Sequence, residues 1–207
     1  MALFMDIGQG AGLSGASGVR PFIPTLLAGA LARDNAGLDF GGTDYSFLEN
    51  QWFLLAILCL AVAVYAANRR VETAPDLNRG WTVPGVLEKV AAVLGVVLGG
   101  LLLAGSLADH GYTSWWGIPA GIACGALGYL AVALLFDRAK RRIGRGAGTG
   151  GARSLLDAYA DGVSLALAGL SIALPPVGYA APVVFVVLIV RSRGEGARKY
   201  GGLRILR

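Results

Sequence analysis

The chain has 207 residues, of which 55% are hydrophobic and 15% charged, with 32 glycines and a formal charge of +5. Soluble domains run at about 45–50% apolar and about 25% charged residues, so this composition excludes an ordinary water-soluble globule and puts the chain in lipid. The basic residues alternate with apolar runs and form no recognition module, so nucleic acid is not an expected partner.

No polar stretch is long enough for a second folded unit, so residues 1–207 are expected to form a single integral membrane domain. The class is all-α, a polytopic bundle of about six apolar segments. MALFMDIG has no basic stretch leading into an apolar core and cleavage site, so no removable signal peptide is expected. The first apolar run, Gly8–Ala32, could cross a bilayer, yet it carries Arg20 near its middle with Pro21 and Pro24 directly after. A charge at membrane depth costs several kcal/mol and marks a functional site by default. Two geometries fit this run: a proline-broken span, or a re-entrant segment that would move the N-terminus to the outer side.

The loop after Ala32 carries Asp34, Asp39, Asp44 and Glu49 against the single cation Arg33, and reads as extracytoplasmic. The second run, 51–67, opens at Trp52 and Phe53 and closes on Arg69 and Arg70, the pattern of a helix entering the cytoplasm. After Arg79, Pro84 suits the first turn of a third helix over 86–107, with Glu88 at its positive end and Lys89 able to snorkel. Its Gly95 and Gly99 form a GxxxG pair, and Gly117, Gly121 and Gly125 line one face of the fourth helix, 117–136; such bare faces admit a closely packed partner helix. Trp115 and Trp116 between these two helices read as an interfacial belt. His110, the only histidine, is expected to be a solvated bystander.

The densest basic stretch, DRAKRRIGRGAGTGGAR, is cytoplasmic by the positive-inside rule and leads into a fifth helix, 154–173. Pro175 and Pro176 end that helix, and a final run over 177–190 leads to a basic tail, 191–207, expected on the cytoplasmic side. The signs add up to six crossings with both termini cytoplasmic, in a bacterial-type inner membrane. Cys59 and Cys124 lie in apolar runs without CxxC spacing, so neither a disulfide nor a metal site is expected, and no cofactor is implied.

Two constellations carry candidate chemistry. Around Arg20, a helix starting at Pro21 would offer free N–H groups to an anion, and the glycines from Gly8 to Gly18, Gly15 and Gly18 among them, would let a ligand approach. The alternative is that Arg20 pairs with a carboxylate inside the bundle. On the fifth helix Asp157, Asp161, Ser164, Ala168 and Ser171 fall at i, i+4, i+7, i+11 and i+14, a single stripe. Two acids one turn apart favour a shared proton, the start of a proton relay, although an ion pair to Arg20 needs the same residue types. The serines have no usable histidine, so no catalytic set emerges.

GLSGASGVRPFIPTLLAGALA resembles the opening of the bacterial membrane proteins grouped as domain of unknown function 4126. WTVPGVLEKV is similar to that family's proline-led third helix, and DRAKRRIGRG followed by SLLDAYADGVSLAL to its basic loop and acid-bearing helix. The resemblance implies a compact helical membrane protein and brings no established activity and no catalytic residue. The functional expectation is a carrier or channel-like binder of a small anionic or proton-coupled substrate, through Arg20, Gly15, Gly18, Pro21, Asp157, Asp161 and Ser164. Membrane lipid is the expected surrounding. The alternatives are a non-catalytic subunit packed against a membrane-protein partner or a second copy, and a protein that handles phospholipid headgroups.

Overall fold

The computed structural model describes residues 2–72, 83–143 and 149–201, with side-chain surroundings for 3–67, 89–136, 138–139 and 155–192. Over these residues it is all-helical, without strands. The helices are α1 (Ala2–Val19), α2 (Ile23–Arg33), α3 (Gln51–Glu72), α4 (Val83–Asp109), α5 (Gly117–Ile143), α6 (Thr149–Ala173) and α7 (Ala180–Gly201). Short 3-10 turns at Ser46–Glu49, Ser114–Trp116 and Pro175–Tyr179 lead into α3, α5 and α7. Four stretches are long and apolar enough to cross a membrane, Lys89–Asp109, Ser114–Phe136, Leu155–Ala173 and Pro175–Ser192, while Ile23–Arg33 and Gln51–Ala67 are shorter apolar helices.

The helix at the centre is the one richest in glycine. Every residue of α1 from Gly8 to Val19 is buried, with α4, α5 and α6 along its sides and the Pro175–Tyr179 turn across it. Each glycine lowers intrinsic helix stability by about 1 kcal/mol relative to alanine, so α1 is held by its surroundings more than by propensity. What the glycines give in return is proximity. A Cβ at Gly18 would overlap the carbonyl oxygen of Gly125, so α1 and α5 touch backbone to backbone there. On the partner helices, Gly95 and Gly99 face Ser17, Pro21 and Ser14, Gly117 and Gly121 face α4 from Gly99 to Ala104, and Gly125 faces Val96 and Ser14. Serines tie the contacts: Ser14 Oγ donates to the Gly99 carbonyl at 2.5 Å and Ser164 Oγ to the Ala16 carbonyl at 3.1 Å.

The first segment reverses direction at Arg20–Phe22. At the start of α1, Tyr179 donates to the Phe4 carbonyl, Ser106 to the Asp6 carbonyl, and Gln9 Nε2 to the Gly37 carbonyl at 2.7 Å. At its end Pro21 lies against Gly95, and Gly18 against Gly125 and Tyr129. Helix α2 then runs back, passing Gly169 with Leu27 and reaching Leu48 and Leu54 at Gly29. The two helices form a hairpin whose open end meets the 34–50 loop, the end of α4 and the 175–179 turn. At 1.5 Å per residue, its tip lies roughly 20 Å further into the bundle.

Among the described residues, the start of α1 and the far part of α7 lie at opposite ends of the bundle. Helix α7 leaves the open end at Tyr179, passes Gly15 and Gly128 with Phe185, and brings the Ser192 carbonyl to the Arg138 side chain of α5. Its far end is therefore opposite the start of α1; the turn at Arg20 adds a reversal that a straight first span lacks. Helix α7 also continues to Gly201 instead of ending at Val190, because no proline interrupts that stretch. The basic connections at 73–82 and 144–148, Arg79 included, and residues 202–207 lie outside the described residues.

The 34–50 loop is more than a polar connection. Leu38, Phe40 and Leu48 are fully buried and close the open end of the hairpin together with Ala28, Ala32, Leu102 and Ile172. Gly37, at φ +83°, makes the bend that turns its carbonyl to Gln9, a conformation L-residues with a Cβ rarely adopt. Elsewhere the surface is apolar: Trp52 on α3, Trp115 and Trp116 before α5, Tyr159 on α6, and Val183 and Val190 on α7 all stand exposed.

Candidate functional site

The hairpin tip is built by its prolines. Pro21 restricts the residue before it and offers no N–H, so α1 ends at Val19, with the Arg20 N–H still donating to the Ala16 carbonyl at 3.0 Å. Pro24 is accepted in the first turn of α2, where the lost N–H has no helical partner anyway. Thr25 Oγ1 donates back to the Pro21 carbonyl at 3.2 Å and steadies the corner. Because α2 starts at Ile23, Arg20 follows the C-terminus of α1 instead of standing directly before a helix at Pro21.

Arg20 meets α6. Its Nη2 donates to Asp157 Oδ1 at 2.8 Å and to the Asp157 carbonyl at 3.0 Å. Its Nε lies 2.7 Å from Asp161 Oδ1, a close charge contact in which the N–H is not aligned for a hydrogen bond. One guanidinium thus stands between two carboxylates on successive turns. The side chains are 28%, 49% and 39% exposed for Arg20, Asp157 and Asp161, so the set is open on one side. If all three groups are ionised, the cluster carries one net negative charge.

The structure thereby brings Arg20, Asp157 and Asp161 together, with Pro21 at the turn. Ser164 is one turn further along α6, completely buried and bonded to α1. Gly15 faces Phe185 of α7, and Gly18 faces Gly125 and Tyr129 of α5. These two glycines are therefore covered by neighbouring helices and hold them together. A cleft of about 630 Å³ opens in the acidic loop instead, lined by Arg33, Asp39, Glu49 and Gln51 among others.

A second titratable cluster, at the open end of α1, is not anticipated by the sequence reading. His110 Nδ1 is 3.1 Å from Asp6 Oδ2 and 4.0 Å from Asp109 Oδ2, so it is no solvated bystander. Asp6 itself is buried, and burial pushes its carboxyl up from the ordinary value; His110 pulls it down and Asp109 adds to the rise. The signal available in the sequence was an acid, Asp6, just before the glycine run. Among the described residues no group of three or more His, Cys, Asp or Glu is arranged to hold a metal ion. Cys59 and Cys124 are free thiols.

A family model described as Domain of unknown function (DUF4126) matches residues 7–194 of the chain. The chain belongs to this family. Both clusters lie in the matched region apart from Asp6, which immediately precedes it. No curated protein and no solved structure matches the chain.

Proposed function

We propose that this DUF4126 member is a multi-pass membrane protein that carries protons, alone or with a small substrate, through the centre formed by Arg20, Asp157 and Asp161. The observation that carries the reading is the ratio of charges: two carboxylates meet one guanidinium at the tip of a hairpin enclosed by apolar helices. Such a set is relieved of its surplus charge when one acid takes up a proton, and intramembrane acids of this kind mark proton relays. A small anion is the weaker substrate, because the charge of Arg20 is already met.

In this reading the acidic 34–50 loop, the Asp109–Tyr112 turn and the start of α1 lie outside, and the basic connections lie in the cytoplasm. The first segment is then re-entrant, α3 to α7 cross, and only the C-terminus is cytoplasmic. Proteoliposomes with a trapped pH indicator test the function under an imposed pH gradient. The protein should dissipate the gradient faster than empty vesicles, and Asp161→Asn should slow it by on the order of tenfold, the scale of one pKa unit. Equal rates for protein-containing and empty vesicles, or an unchanged Asp161→Asn, would count against the reading.

One observation favours a second reading, a subunit packed against another membrane protein or another copy. Ala158, Gly162 and Ala166 are exposed on α6 at i, i+4 and i+8, and nothing lies within 4 Å of a Cβ at Gly162. Small residues in this register let a helix approach. A stoichiometric partner recovered in mild detergent and lost with Gly162→Leu supports that reading; recovery of the chain alone opposes it.

A further inference from the structure

The open end of α1 holds a buried acid that the Arg20 centre does not use. Asp6 is 3% exposed, and its Oδ2 accepts no hydrogen bond. The basic group in reach is His110, with Nδ1 at 3.1 Å from Asp6 and 4.0 Å from Asp109 on the same nitrogen. Asp39 of the loop donates its backbone N–H to Asp109 Oδ2 at 3.3 Å. Tyr179 of the 175–179 turn gives its hydroxyl proton to the Phe4 carbonyl, and Arg33 of α2 turns to Gln51. From α5, Cys124 packs into the apolar cluster with Ile7 and Ala11, and Ser171 of α6 donates within its own helix.

A buried carboxylate without a counter-charge is strongly unfavourable, and a neutral imidazole supplies none. The pair is therefore stable here while it holds one proton, either on His110 Nδ1 facing a carboxylate or on the Asp6 carboxyl facing a neutral ring. Asp109, a second acid on the same nitrogen, favours keeping that proton.

We propose that Asp6 and His110 form a proton-binding site at the open end of α1, and that the bound proton fastens α1 to the Asp109–Tyr112 turn. On release one H⁺ passes to bulk water, leaving a neutral imidazole between two negative carboxylates. The attraction across the joint becomes repulsion, and the first turns of α1 loosen. Burial holds the Asp6 carboxyl above its ordinary value, so the joint loses its proton as pH rises. The inference does not rest on the Arg20 reading, since the two clusters share only the helix between them.

Hydrogen exchange of the full chain in lipid nanodiscs tests it, comparing residues 3–12 with residues 98–107 of the same molecule and correcting for intrinsic exchange at each pH. Protection of residues 3–12 should fall about tenfold as pH rises from about 5 to 8, while residues 98–107 hold steady. Asp6→Asn should abolish the pH dependence, and Asp157→Asn should leave it intact. His110→Gln, altering a half-exposed side chain, should move the fall in protection to a different pH, because the proton must then sit on the Asp6 carboxyl alone. Protection in the unmodified chain that does not change with pH overturns the proposal. So does a fall of the same size in Asp6→Asn, or a fall at an unchanged pH in His110→Gln.

Discussion

The two ends of α1 carry the same arrangement with one difference. At the hairpin tip Arg20 stands between Asp157 and Asp161; at the open end His110 stands between Asp6 and Asp109. In each, one basic group faces two acids, so each is short of one positive charge. The guanidinium is permanently ionised, and any proton that relieves the tip must sit on a carboxyl. At the open end the base is an imidazole, so the proton can be shared between the base and the Asp6 carboxyl. Burial separates them as well: Arg20 and its acids are partly exposed, whereas Asp6 is sealed. A permanent cation can hold acids in a half-open place, and a titratable one can control a joint only where the acid cannot find water.

Helix α1 is in close contact with its neighbours from Gly8 to Val19, so the largest effect should come from its middle. Gly18→Leu forces a side chain against the Gly125 backbone, and thermal unfolding in detergent should report a loss of about 3 kcal/mol or more. A variant as stable as the parent would remove the close crossing that positions both ends. At the tip, Arg20→Ala leaves two acids facing each other without a cation. With partial exposure discounting the penalty, about 1–3 kcal/mol should be lost in denaturant titration. Adding Asp161→Asn to Arg20→Ala should recover most of that loss, and simple additivity of the two changes would break the pairing. The smallest effect belongs to the open end: Gln9→Ala removes the hydrogen bond to Gly37 and should cost about 1 kcal/mol, read as a lowered unfolding midpoint.

The tip was legible in the sequence to a useful degree. Arg20 at membrane depth must find a counter-charge, and Asp157 and Asp161 one helical turn apart were the natural candidates, so the ion pair was one of the alternatives. The helical class was legible from composition for the same reason, since lipid leaves unpaired backbone few other solutions. The role of Gly15 and Gly18 was not, because a small residue announces that something comes close without saying whether it is a ligand or a helix. The sequence left a span and a re-entrant segment both open for the first run, because proline at Arg20–Phe22 fits a kink and a reversal equally well. The joint between Asp6 and His110 joins two isolated residues far apart in the chain, with no periodicity to connect them. The burial of Leu38, Phe40 and Leu48 was masked by the acids between them.

The reversal at Arg20 is the feature on which both ends depend, and site-directed labelling tests it most directly. Single cysteines at Leu3, Asp44 and Arg191, in a chain with Cys59 and Cys124 replaced by serine, are exposed to a membrane-impermeant maleimide in sealed vesicles of known orientation. The hairpin predicts that positions 3 and 44 label from one side and position 191 from the other. Labelling of positions 3 and 191 from the same side, with position 44 opposite, would contradict it and restore a first segment that crosses the membrane.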